Sequence, residues 1–312
     1  LLVSSFFILM QAQAGIVEPI YKQLKDPTTG GQPSTVSMSI TPDGKKMFVL
    51  SHTQNKYYIY DLTTPFDLST MDVSNRSEVD FVGDDPPSAS QIKDIEFNND
   101  GTKVFVFGRA GTLHIHNLTT PYDVASISSS TAVPDDGLDY NTAYGTVSRI
   151  HGVTFNNDGT KMYLSDGTIT STDITQVNLS TPFDPSSGTS TYNLNTESIT
   201  LRYTMDLAFD DDGTRLYLSE SNTSVAINYM YVWKLSNPFE LSSATYVDKW
   251  QILGNGNNLS PYAWTFGNNG MKLYIGTEDA STDGDNIIYE YDLSCPYGIV
   301  LCESETSSVA SA

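Results

Sequence analysis

The chain has 312 residues, 37 acidic against 16 basic, for a formal net charge of −21. A surface this negative repels phosphate backbones and anionic bilayers, which excludes nucleic acid as a partner. Only 17% of residues are charged, while Ser, Thr, Asn and Gly crowd the segments between apolar runs, a composition that fits a secreted, extracellular β protein better than a cytosolic enzyme.

The first element is LLVSSFFILMQAQA, residues 1–14, with Leu1, Leu2, Val3, Phe6, Phe7, Ile8, Leu9 and Met10 as its apolar core. Ala-Gln-Ala before Gly15 reads as the cleavage site of a secretory signal peptide. The alternative is an arm retained in the mature chain and buried in a neighbouring subunit, at a gain of roughly 1.5–3 kcal/mol per large side chain. The segment is too short to span a bilayer, which takes about 20 apolar residues. The next run, IVEPIYKQL at 16–24, has strand character but precedes the first repeat without a unit of its own.

Five repeats follow. Glycines at 44, 101, 159, 213 and 270 close turns such as FNNDGTKMYL, with spacings of 57, 58, 54 and 57 residues. Prolines at 65, 121, 182, 238 and 296, in segments such as DLTTPFD and NLSTPFD, keep the same step, at 56, 61, 56 and 58. Within each copy, short runs rich in Val, Ile, Tyr and Phe flank the Asp-Gly turn as a hairpin. In the second copy the strands are IKDIEF, TKVFVF and LHIHNL, the last stopped by Pro121, because proline cannot donate to a sheet ladder. A fourth, more variable strand is clearest as TYVDKWQIL at 245–253. Four antiparallel strands per unit, with no helical pattern between units, predict an all-β, five-bladed β-propeller.

The fifth copy runs out soon after Pro296, so the strand at 16–24 is expected to complete the last blade and close the ring. Cys295 and Cys302 flank PYGIVL there and suggest a disulfide clasp, with two free thiols as the alternative. The expected domains are an arm at 1–14, a propeller at 15–302 and a Ser-rich tail at 303–312.

DGTKMYL followed by LSTPFD resembles the β-propeller repeats common in secreted and phage-associated proteins of aquatic microbes, distantly similar to YVTN-type and NHL-type propellers. The resemblance covers residues 36–297 and implies the fold. It carries no chemistry, since one fold serves many functions.

The aligned copies bring chemistry-bearing residues into shared columns. Ser37, Asp94, Gly152, Asp206 and Ala263 fall at one point of the first strands, so Asp94 and Asp206 are a candidate carboxylate pair at the channel, with His151 and Tyr262 as further ligand contacts. A glycoside hydrolase would use such a pair, but a third matching acid is missing; the alternative is that the carboxylates accept from backbone amides or water. His114 and His116 look like metal ligands, yet their equivalents are Tyr58 and Tyr60, Thr175 and Val177, Tyr231 and Trp233, and Tyr289 and Tyr291, a packing column. DASTDGDNIIYE places Asp279, Ser281, Asp283, Asp285 and Glu290 at the spacing of a calcium loop, making Ca²⁺ the one cofactor candidate. Sequons at Asn75, Asn117, Asn178, Asn222 and Asn258 are compatible with glycosylation of exposed loops.

The function expected is that of a non-enzymatic extracellular structural protein, assembling head-to-tail with copies of itself through the arm. The alternative is a monomeric secreted propeller that binds a glycan or other small ligand, with a hydrolase third.

Overall fold

A computed structural model describes residues 18–25, 35–51, 56–80, 92–108, 113–132, 150–166, 173–196, 204–220, 227–254, 257–258, 261–277, 287–300 and 302. These residues form a five-bladed β-propeller of four-stranded antiparallel sheets. Blade three runs from the channel outward as Ile150–Phe155, Lys161–Asp166, Ile174–Leu179 and Gly188–Leu194. The first strands of the other blades are Thr35–Ile40, Ile92–Phe97, Thr204–Phe209 and Pro261–Gly267. Their third strands are Lys56–Asp61, Leu113–Leu118, Tyr229–Leu235 and Ile288–Asp292.

The Gly and Pro markers share a period because they are two halves of one contact. Gly159 sits at φ +70°, in the left-handed region that costs glycine least, and its carbonyl accepts from the Phe183 amide at 2.9 Å. Phe183, directly after Pro182, is itself at φ 53° and lays its ring over the glycine; a Cβ on Gly159 would come within 2.3 Å of that ring. Gly44 with Phe66, Gly101 with Tyr122, Gly213 with Phe239 and Gly270 with Tyr297 repeat the arrangement. A left-handed aromatic residue is strained, and burial of its ring against the turn holds it there.

Blades adhere through alternating faces. Phe48, Leu50, Tyr57 and Ile59 of blade one pack on Ile92, Ile95, Val104 and Val106 of blade two, while Met47, Val49, Tyr58 and Tyr60 on the opposite face meet blade five. Second-strand tyrosines add a polar tie to the next blade: the hydroxyls of Tyr163, Tyr217 and Tyr274 donate to the carbonyls of Phe239, Tyr297 and Phe66 at 2.6, 2.7 and 2.7 Å.

The ring closes on Ile20–Lys25, which pairs antiparallel with Ile288–Asp292 as the outer strand of blade five. Within the described residues the strand begins at Ile20 and runs one residue past the expected segment 16–24, and the outer strand of blade four, Ala244–Gln251, starts and ends earlier than its pattern implied. Cys295 and Cys302 form a disulfide with Cα atoms 5.9 Å apart. Two sequons depart from the loop expectation: Asn117 and Asn178 lie near the ends of third strands, Asn117 half-buried, because the strand runs almost to the proline. Asn75 is in an exposed bend, Asn258 is in a two-residue strand, and Asn222 lies outside the described residues. Among the described residues no helix is long and apolar enough to cross a membrane.

Candidate functional site: an acid-lined channel

Each first strand carries a register shift at the aligned column, between Ile92 and Asp94 in blade two and between Ile150 and Gly152 in blade three, for example. The irregularity re-aims the column toward the next blade. Asp94 is 3% exposed, and its carboxylate ties three blades together. Oδ1 accepts from Ser37 Oγ of blade one at 2.6 Å and from Ile95 N at 2.8 Å, and Oδ2 from Val153 N of blade three at 2.7 Å. Asp206 repeats the pattern, accepting from Leu207 N at 2.7 Å and, more weakly, from Trp264 N of blade five at 3.4 Å. The two aspartates therefore satisfy inter-blade amides.

They also line a cavity of about 230 Å³ with Glu96, Ser39, Thr154 and Thr265. Glu96, two residues beyond Asp94, accepts from Thr154 Oγ1 at 3.2 Å. Sequence reasoning missed it; the signal was available, since alternate residues of a first strand share a face. Burial pushes the Asp94 carboxyl up to about 7 against the pull of the donors from Ser37, Val153 and Ile95. Glu96 and Asp206 are raised well above the usual carboxylate range, by burial first and by the charge of Asp94 second. Such proton-retaining acids can donate hydrogen bonds at neutral pH, which suits hydroxyl-rich ligands.

The raised values predict an unusual pH profile. A carboxyl with a higher pKa in the folded state binds more protons there than in the unfolded chain, so these groups stabilise the ring at low pH. That contribution falls as pH rises from about 4, the unfolded value, through about 7. Exposed Asp100 and Asp158, held low by Thr102 and Thr160, act oppositely, and their contribution is lost only as pH drops below the ordinary Asp range. Guanidinium midpoints should thus be higher at pH 5 than at pH 7.5, and Glu96→Gln should flatten the decline. A midpoint rising with pH over this range contradicts the burial argument.

The other candidates are dispersed. His151 is half-buried and reaches the Thr204 carbonyl of blade four through Nδ1 at 3.1 Å; Tyr262 is half-buried on the first strand of blade five, and neither lines the cavity. His114 and His116 stack with centroids 6.3 Å apart, opposite Val106 and Val104. Burial, and then the neighbouring ring, hold His116 down at about 4, a neutral packing member. Among the described residues no group of three or more His, Cys, Asp or Glu is placed to hold a metal. Glu290 is 1% exposed on the third strand of blade five, where it accepts from Leu68 N at 2.8 Å and Gln23 Nε2 at 2.7 Å and pairs with Lys272. Its four calcium-loop companions, Asp279, Ser281, Asp283 and Asp285, lie outside the described residues, as do the arm residues from Leu1 to Met10.

No family model matches the chain, and no curated protein does. Solved structures similar to it include hydrazine synthase from Kuenenia stuttgartiensis, at 12% identity over 82% of this chain, with a TM-score of 0.43. This chain spans 58% of that one. A proposed 6-phosphogluconolactonase from Bacteroides fragilis shares 15% identity over 89% of this chain and 70% of its own, with a TM-score of 0.46. The β-propeller domain of Cps50 (Swd1) from Myceliophteria thermophila shares 13% over 80% and 66%, with a TM-score of 0.39. The fold and channel define the class as a five-bladed β-propeller.

Proposed function

We propose that this propeller is a non-enzymatic extracellular structural protein that assembles with copies of itself through the apolar segment 1–14. The observation that carries the reading is the commitment of Asp94 and Asp206, the paired acids at the channel, to amides of neighbouring blades, which gives them a role in holding the ring. Closure is completed by Ile20–Lys25, so the apolar segment is not required for it. Sedimentation velocity and electron microscopy of the full chain, with N-terminal sequencing of the same sample, test the proposal. Higher-order species are expected, and Phe6→Asp with Phe7→Asp should abolish them. A full chain that stays monomeric at high concentration overturns the proposal, as does assembly that survives the double substitution.

A second reading, a monomer that binds a glycan in the channel, draws support from the cavity of about 230 Å³, where the carboxyls of Asp94, Glu96 and Asp206 stand beside the hydroxyls of Ser39, Thr154 and Thr265.

A further inference from the structure

The first hairpin of each blade turns at the repeat glycine, and in four blades the loop is anchored in three ways. In blade three Asn156 Oδ1 accepts from Lys161 N at 2.8 Å, Asp158 Oδ1 accepts from Thr160 N at 3.0 Å, and Gly159 N donates to the Asn156 carbonyl at 3.0 Å. Blades one, two and four repeat all three bonds, with Thr41, Asn98 and Asp210 in the place of Asn156 and an aspartate always in the place of Asp158.

The loop of blade five, from Gly267 to Met271, has lost every one of them. Gly267 stands where Asn156 does and has no side chain to accept with. Asn269 stands where Asp158 does; it is exposed, and among the described residues its side chain has no hydrogen-bond partner. The Gly270 amide is likewise uncommitted, because the bond across the turn runs instead from Met271 N to the Asn268 carbonyl, at 3.1 Å. Asn268 and Asn269 sit at φ 52° and 51°, a left-handed conformation that the equivalent residues of the other four loops do not adopt. Such a conformation is uncommon outside glycine, although Asn tolerates it better than most.

An uncommitted amide next to an uncommitted carboxamide is a reactive pair. We propose that Asn269 is a site of spontaneous deamidation through a cyclic imide, and that the missing anchors open it to the reaction. Gly270 N gives up its proton and bonds to Asn269 Cγ, the Cγ–Nδ2 bond breaks, and ammonia leaves with that proton. Water then adds to either imide carbonyl, giving Asp or isoAsp at 269. Glycine offers the least hindrance to such an attack, having no Cβ. In a left-handed residue the Cβ and the next nitrogen lie on opposite sides of the Cα–C bond, so the 269–270 peptide must first rotate. One bond across the turn opposes that rotation here, where three oppose it in each other blade. The aspartates of the other four loops are poorer electrophiles and precede glycines whose amides are already bonded. The Asp product gives blade five the carboxylate the other loops carry. The isoAsp product lengthens the loop beneath the Tyr297 ring, which leaves no room over Gly270 even for a Cβ, at 2.4 Å.

The test is incubation of the folded full-length protein between pH 6 and pH 8, with chymotryptic mapping by mass spectrometry. Cleavage at Tyr262, Trp264 and Phe266 separates Asn269 from the chain's other Asn-Gly pair, Asn255-Gly256, which lies outside the described residues. The fragment holding residue 269 should exchange NH₂ for OH, accept a methyl group from isoaspartyl methyltransferase, and convert faster as pH rises, because the nucleophile is the deprotonated amide. No conversion at Asn269 in the folded chain, under conditions where the guanidinium-unfolded chain converts there, overturns the proposal. Two variants restore an anchor: Gly267→Asn supplies the acceptor of blades two and three, and Met271→Thr gives Asn269 the hydroxyl partner that Asp158 has in Thr160. Each should slow conversion at least about threefold, the effect of one added hydrogen bond, and neither should slow it in guanidinium. Should one variant melt at a lower temperature than the native chain, the other decides. A folded-state rate left unchanged by the restored anchors overturns the link between the bare loop and the reaction.

Discussion

Glu290→Leu should lower the unfolding free energy by about 3–5 kcal/mol, the cost of leaving buried partners of an ion uncompensated. Its carboxylate is buried where the last blade meets both the closing strand and the first blade. Three donors converge on it: Leu68 N at 2.8 Å, Gln23 Nε2 at 2.7 Å and the Lys272 ammonium. Leucine fills the volume and answers none of them. Lys272 retains Asp292 at 2.6 Å, which places the expected loss toward the lower end of the range. Glu290→Gln keeps an acceptor for Leu68 N and should recover more than half of the loss in guanidinium unfolding. The comparison also separates the ring-closing role from the calcium spacing that surrounds this residue. If closure is the role, the cost of Glu290→Leu is the same with calcium and with a chelator. A cost that disappears on chelation would assign Glu290 to the metal instead.

The repeat architecture was legible because its markers are local. A turn glycine and a proline-aromatic pair recur at one step, and the structure shows why they travel together: the aromatic ring covers the glycine that admits it. The orphan strand was legible as a matter of arithmetic, since one blade lacked a strand and one strand lacked a blade. The roles of individual polar residues were much less so. Glu290 matched a metal loop within its own segment, but the partners that define it, Leu68 and Gln23, lie more than 200 residues away in sequence. Asp94 and Asp206 were found by alignment, while their commitment to amides depends on which blade each first strand faces.

Gly152→Ala is expected to be the most disruptive one-carbon change in the channel. The glycine is not needed for an unusual backbone angle; it is needed because the neighbouring blade comes too close. A Cβ at residue 152 would lie 2.7 Å from Asp206 Cα and 2.7 Å from the Met205 carbonyl, both backbone atoms of blade four. Neither atom can swing aside as a side-chain end can, so the first strand of blade four must move. That strand carries the Asp206 contact to Trp264 N, at 3.4 Å already the weakest of the channel's amide bonds, and it accepts from Ser165 Oγ at 3.1 Å. Overpacking of this kind costs about 1–3 kcal/mol, and the upper end is expected here because the displacement strains two junctions. Gly267→Ala is the control, because its nearest neighbours are the rings of Tyr274 and Phe66 at 3.0 and 3.1 Å, which can yield by a few tenths of an ångström. Guanidinium unfolding should show Gly152→Ala destabilised by at least about 1 kcal/mol more than Gly267→Ala. Equal losses would mean that blades three and four have room between them, and that the alignment of Gly152 with Ser37, Asp94, Asp206 and Ala263 carries no steric requirement.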